Sequence, residues 1–175
     1  MKTIGMIGGV STESTLIYYR TINAMVRERL GGYHSAEMRI HSVNFQDYTG
    51  AHDSRDWPFI RSGFDHAAKG LKASGADFLV LACNTLHTVA DAIEDATDLP
   101  FLHIVDACGN KLRADGRQQP GLIGTAFTMA EPYFNLAAIY AYRGLTSKTI
   151  EYLDMAIARE GGYKDLILNN PVFSV

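Results

Sequence analysis

The sequence predicts an α/β fold: a parallel sheet with helices on both faces, followed by a helical C-terminal tail. Three observations carry this. Short apolar runs alternate with longer segments of helical periodicity, the pattern of repeated βα units. The strand-like runs end in turns rich in glycine and hydroxyl residues, Gly8-Gly9-Val10-Ser11-Thr12 and Gly124-Thr125-Ala126-Phe127-Thr128. The 175 residues are 47% hydrophobic and 20% charged, enough apolar material for the core of one domain of ordinary size, with or without an appendage.

Taken in order, Thr3 to Ile7 reads as a first strand, closed by Gly8-Gly9. Ser11 or Thr12 can cap the helix that follows, and Glu13 suits its first turn. Leu16, Tyr19, Ile22, Val26 and Leu30 recur at helical spacing until Gly31-Gly32 stops the run. Met38 to Phe45 reads as a second strand and Asp47 to Asp56 as a polar loop. Ile60, Phe64, Ala67 and Leu71 line one face of the next helix, which ends near Gly75. Phe78 to Ala82 is a continuous apolar run, the mark of a buried parallel strand. A helix from about Leu86 to Ala96, a strand around Phe101 to Val105 and a helix from Cys108 to Ala114 come next. Gly121-Leu122-Ile123 reads as a fifth strand.

Charge and cysteine content exclude several classes. The net charge is −3, the pI is about 6.0 and no basic run occurs, so no nucleic acid or other polyanion is expected as a partner. Two cysteines, Cys83 and Cys108, are too few for a disulfide scaffold, and their surroundings lack metal-ligand spacing, so no metal is expected. The apolar part of the first nine residues is too short and glycine-rich for a signal peptide, and no stretch has transmembrane length. A cytoplasmic location away from membranes is the expectation.

Cys83-Asn84-Thr85 is the most informative stretch. It stands between the third strand and a helix, at the carboxyl edge of the sheet, where open α/β folds bind ligands. Free N–H groups and the partial positive charge at the start of a helix would favour a thiolate. Cys83 is therefore a candidate acid, base or nucleophile, the alternative being a buried structural cysteine. The Gly8-to-Thr12 and Gly124-to-Thr128 turns fall on the same edge, and each can serve an anion or simply cap its helix. Neither is a dinucleotide fingerprint or a P-loop, since the third glycine and the Gly-Lys-Ser/Thr are missing. Three polar turns on one edge can surround a small carboxylate-bearing ligand.

A family resemblance rests on specific residues. Lys2 to Gly5, Gly8-Gly9, Ser11, Glu13-Ser14-Thr15, Tyr18-Tyr19-Arg20, Ile22-Asn23, Gly31-Gly32, His34-Ser35-Ala36, Ser42-Val43 and Gly75-Ala76-Asp77 form a collinear series. Cys83-Asn84-Thr85, His87, Val89-Ala90-Asp91, Leu102-His103-Ile104, Gly124-Thr125 and Phe127-Thr128-Met129 extend it. Residues 1–131 thus resemble the aspartate/glutamate racemase family. The resemblance implies a first half of a two-half α/β enzyme, an isomerase that needs no cofactor and acts on a small acidic amino acid. It implies acid/base chemistry at Cα by two opposed cysteines, with Cys83 in one of the roles. It places Asn84, Thr85, Ser11, Thr125 and Thr128 around the substrate, and His52 on the loop from which relatives reach it.

The chain also departs from that pattern. The family's second cysteine lies in a Gly-Cys-Thr-Glu type motif, and no such motif occurs in these 175 residues. Cys108, in Asp106-Ala107-Cys108-Gly109, does not match it and is expected to be a helix-buried cysteine. A single thiol can remove and return a proton on one face only, so racemisation is expected to be impaired. Residues 132–175 read as a helix from Asn135 to Gly144, a second one capped by Ser147 with Ile150, Leu153 and Ile157 in register, and a Gly161-Gly162 stop. This hairpin resembles a tetratricopeptide-type repeat, or else belongs to divergent helices of a racemase second half. One repeat cannot bury both its faces, which predicts a homo-oligomer or a partner surface. Two functions stay open: the racemase, and a non-catalytic acidic-ligand-binding or protein-interaction module.

Overall fold

The computed structural model describes residues 1–116. The expected strand at 121–123, the turn at 124–128, the tail from 132 and the boundary between 131 and 132 lie outside the described residues. The chain divides into two compact units, Met1–Lys111 and Leu112–Val175. Of the second unit the described part is the end of one helix and a turn at Gly116, where φ is 66°.

The elements of the first unit are β1 (Ile4–Gly8), α1 (Thr12–Leu30), β2 (Met38–Ser42), α2 (Phe45–Asp53), α3 (Trp57–Ala73) and β3 (Phe78–Leu81). A 3-10 turn (Thr85–Val89), α4 (Asp91–Ala96) and α5 (Ile104–Ala114) complete them. The sheet order is β2-β1-β3 and both pairings are parallel. Ile4 pairs with Met38 and with Phe78, so the strands run level and end on one edge. The chain passes from β1 outward to β2, then back across β1 to β3. Right-handed crossovers in opposite directions put α1 and α3 on opposite faces. The parallel α/β fold read from the sequence is therefore the one adopted.

The α3 face holds the main core. Ile60, Phe64, Ala67 and Leu71 are buried there with Ile7, Leu79, Leu81, Val89 and Ile93. Gly5 keeps its backbone against Leu71, Ala76 and Leu79, where a Cβ would collide. Asp56 caps α3 by accepting the Phe59 N–H at 3.0 Å. Each fully buried apolar side chain contributes roughly 1.5–3 kcal/mol. That outweighs the Lys69–Asp65 and Lys72–Asp98 ion pairs, which lie at the surface and are screened by solvent.

Five local expectations need correction. Asp47 to Asp56 is mostly helix, α2, because Tyr48 and Ala51 lie one turn apart and both bury against the core. Tyr48 stacks on Phe64 at 5.4 Å, and its hydroxyl end abuts Gly63, where a side chain would collide with it. The second strand stops at Ser42 rather than running to Phe45, which opens α2 instead; on α1, found as expected, no residue is fully buried, and Leu16, Tyr19 and Leu30 are exposed. The helix after Cys83 is broken into a 3-10 turn and the short α4. The strand around Phe101 is a single bridge to Leu79, made by Leu79 N–H to the Pro100 carbonyl (2.8 Å) and Leu102 N–H to the Leu79 carbonyl (2.9 Å). Helix α5 begins at Ile104, so Cys108 lies inside it rather than at its start, and is exposed rather than buried.

Candidate active site

The carboxyl ends of β1 and β3 lie side by side, and each leads into a polar turn. After β1, Gly9 has φ 86° and lies directly against the backbone of Val43 at the end of β2. The Val43 N–H donates to the Gly8 carbonyl at 3.0 Å. Only glycine allows both the left-handed φ and the close approach. Ser11 follows with φ 117°, a strained conformation for a residue with a side chain. Its hydroxyl caps α1, accepting the Ser14 N–H at 3.3 Å.

Of the two readings open for this turn, an anion site or a helix cap, the capping one is seen, and part of its donor set is already used. Thr15 turns back into it: its hydroxyl accepts the Gly9 N–H at 2.9 Å and lies 3.0 Å from the Ser11 carbonyl. The Gly9 amide is thereby engaged within the protein. The Ser11 hydroxyl accepts as a cap, which leaves its proton for a ligand. Ser14 donates to the Ala82 carbonyl at 2.6 Å, joining the start of α1 to the residue before Cys83. Ser14 and Thr15 were legible only as members of a motif, and their bonding roles depend on the two turns meeting.

After β3, the ladder continues to Ala82, whose N–H donates to the Ile7 carbonyl at 2.9 Å. Cys83 follows, half-buried at the rim of the core. It is therefore neither entombed nor fully solvated. Asn84 is exposed and makes no side-chain cap bond, and Thr85 is half-buried. The 3-10 turn is five residues long, so the helical field expected at Cys83 is that of a single tight turn.

Tyr18, one turn beyond Ser14 on α1, reaches the same region. Its phenol is raised above the ordinary value, first by burial and then by electrostatic interaction with Cys108 and Cys83. It is held protonated chiefly by burial, with the two cysteines adding in the same direction. That relationship was invisible in the sequence, where the two cysteines stand in different elements.

His87 closes the floor. It is buried, and its Nδ1 lies 2.6 Å from the Cys83 carbonyl. Its Nε2 accepts the Ile104 N–H at 3.4 Å. The His103 ring lies edge-on at 4.7 Å and Phe101 at 5.7 Å. Burial, then the neighbouring His103, lowers the His87 pKa to about 4. His103 is lowered as well by burial, against the opposing pull of Asp106.

His52, expected on a loop, lies on α2. Its ring stands edge-on to Trp57 at 5.6 Å, and its Nδ1 is 3.7 Å from Asp53. Thr125 and Thr128 lie outside the described residues. Ser11 and the Cys83-Asn84-Thr85 turn are thus on neighbouring strand ends, linked through Ser14, whereas His52 belongs to a separate helix. Among the described residues no cluster of His, Cys, Asp and Glu could hold a metal ion, and no helix is long and apolar enough to cross a membrane.

These features define an open parallel α/β protein with a thiol, an amide and hydroxyls along its carboxyl edge. Comparison with known proteins narrows the class. The family model for Asp/Glu/hydantoin racemases matches residues 7–151. The chain belongs to this family. It is 28% identical over 106 residues to the broad specificity amino-acid racemase RacX of Bacillus subtilis (strain 168), covering 59% of this chain and 46% of that protein. Among solved structures it is similar to a protein from Yersinia pestis assigned, not established, as an Asp/Glu racemase. There the identity is 44% and the TM-score 0.64, over 66% of this chain and 50% of that one. It is also similar to an aspartate racemase homologue from Pyrococcus horikoshii OT3, with 31% identity and TM-score 0.71 over 85% of this chain and 62% of that one. The chain spans about half to three fifths of the length of these relatives.

Proposed function

We propose that this chain carries the first thiol site of a cofactor-independent racemase for a small acidic amino acid of the aspartate or glutamate type. The observation that supports it most is the half-buried Cys83 at the sheet edge within a chain of this family. Cys83 serves as acid and base at the substrate Cα. As thiolate it takes the Cα proton, and as thiol it returns it. An unperturbed thiol, with pKa ~8.5, needs only a modest shift for this work. Asn84, Thr85 and the Ser11 hydroxyl donate to the substrate carboxylate, and those bonds strengthen as enolate-like charge develops. Thr125, Thr128 and His52 are further candidates for substrate contact on the strength of the family resemblance alone.

The 175 residues hold no Gly-Cys-Thr-Glu motif, so one matched thiol faces one side of Cα. The chain then exchanges the Cα proton with solvent faster than it inverts the centre. Incubation with L-aspartate and with L-glutamate in heavy water tests this. Deuterium at Cα with the L-configuration kept, abolished by Cys83→Ser, is the expected result. Rapid appearance of the D-enantiomer would overturn the one-sided reading, and exchange that survives Cys83→Ser would overturn the assignment of the thiol.

A second reading, a non-catalytic acidic-ligand-binding or protein-interaction module, draws on the exposed Leu16, Ile17, Tyr19, Met25 and Leu30 of α1. Assembly into a homo-oligomer would draw on the Leu16, Tyr19 and Leu30 side of the same helix. Saturable binding of L-aspartate without any Cα exchange would favour this reading.

A further inference from the structure

We propose that His87 is the positioning residue for Cys83: one neutral ring clamps the Cys83 carbonyl to the first amide of α5 and so fixes the direction of the thiol. The proposal rests on the reading of Cys83 as the reacting group, and it adds a residue that never touches substrate.

The bonding leaves the ring one arrangement. A carbonyl can only accept, so at 2.6 Å from the Cys83 oxygen Nδ1 must be the protonated nitrogen. A backbone N–H can only donate, so Nε2 facing Ile104 must carry the lone pair. A ring protonated on both nitrogens would lose the Ile104 contact, and the opposite tautomer would lose both. The ring cannot drift, because Phe101 and His103 flank it and Phe101 is itself pinned to β3 through the Leu79 bridge. Around the thiol, the Ala82 carbonyl takes the Ser14 hydroxyl and the Cys83 carbonyl takes His87. The peptide planes on both sides of the Cys83 Cα are thereby fixed, and with them the direction of Cα–Cβ. The five-residue 3-10 turn that follows would not supply such a constraint by itself.

Removing the clamp frees the Cys83 turn to open locally. A buried hydrogen bond of ordinary net strength corresponds to a change of roughly three- to tenfold in such an opening. Cys108, exposed in the same chain, is an internal reference for thiol reactivity. The experiment is competitive alkylation with iodoacetamide, read by mass spectrometry as the Cys83-to-Cys108 rate ratio. It is run on the wild-type chain and on H87A, H87N and H87Q, with thermal unfolding alongside. The Asn amide nitrogen takes the place of Nδ1, whereas the Gln oxygen takes that of Nε2. The ratio is expected to rise roughly three- to tenfold in H87A and H87Q and to return toward wild type in H87N. An unchanged or lowered ratio in H87A, or equal recovery by Asn and Gln, would overturn the proposal. A loss of stability without that pattern would mark His87 as a packing residue only. Because alkylation needs no substrate turnover, the outcome stands apart from whether the chain proves to be a racemase.

Discussion

The hydroxyl of Ser14 donates to the carbonyl of Ala82 at 2.6 Å, and this one bond couples the β1–α1 turn to the residue before the candidate thiol. The two residues are 68 positions apart. The bond forms because parallel pairing of β1 and β3 sets their carboxyl ends level. Ser14→Ala leaves the fully buried Ala82 without that donor. It is expected to cost about 1–3 kcal/mol, seen as a lower urea midpoint at unchanged slope. Ser14→Thr, which keeps the hydroxyl, should recover most of that loss.

Gly9 is the most constrained position of the first turn. Alanine there meets the Val43 backbone, its Cβ 2.6 Å from the Val43 nitrogen, at a φ that side chains rarely adopt. The obstruction is backbone, so it cannot rotate away. Gly9→Ala is expected to lower stability by at least about 1–3 kcal/mol. Gly50→Ala, on α2 with open space at its Cβ, serves as the comparison and should be neutral or slightly stabilising. Equal melting temperatures for the two variants would refute the steric account.

Histidine burial makes stability depend on pH in a defined direction. The folded His87 titrates near 4 and the unfolded side chain near 6.5. Between these values the unfolded chain binds a proton that the folded ring refuses, so unfolding stability climbs as pH rises through the window. The contribution is complete above 6.5 and lost toward 4. Its size is about 3 kcal/mol, and His103 adds in the same direction. Urea midpoints measured from pH 4 to 7 should show this slope in the wild type and a clearly shallower one in His87→Asn.

Asp91 belongs to the family-like motif, yet its carboxylate is engaged by Arg61 in a two-pronged pair of 2.9 and 2.6 Å that ties α4 to α3. Both side chains are well exposed, at 41% and 56%, which limits the pair to about 1 kcal/mol or less. Asp91→Asn should therefore shift the melting temperature only slightly and leave Cα exchange intact. A large loss of exchange would make Asp91 part of the site.

The strands and the α3 stripe were legible because their signals are local: continuous apolar runs, and Ile60, Phe64, Ala67 and Leu71 at helical spacing. Cys83-Asn84-Thr85 was legible as a junction for the same reason. The α2 segment was misread because its polar residues, from Gln46 to Asp53, mask the buried pair Tyr48 and Ala51, whose partner Phe64 comes sixteen residues after Tyr48. The apolar repeat of α1 marked the helix and its Gly31 end, but not its exposure, since periodicity marks an amphipathic surface without saying what covers it. His87 attracted no role of its own, because a single histidine in a sequence carries no sign of which carbonyl it will meet.

By itself the sequence determined the alternation of elements, the parallel sheet and the cysteine at its edge, since apolar runs, helical spacing and turn residues act within a few positions of one another. Only the tertiary structure decided what surrounds that cysteine. Ser14 and Tyr18 on α1, His87 in the 3-10 turn and Ile104 at the start of α5 come from three separate stretches of chain, and they meet only where strand pairing and packing bring distant donors and acceptors within hydrogen-bonding and electrostatic range. Those interactions fall off within a few ångströms, so three-dimensional closeness governs them and separation along the chain does not.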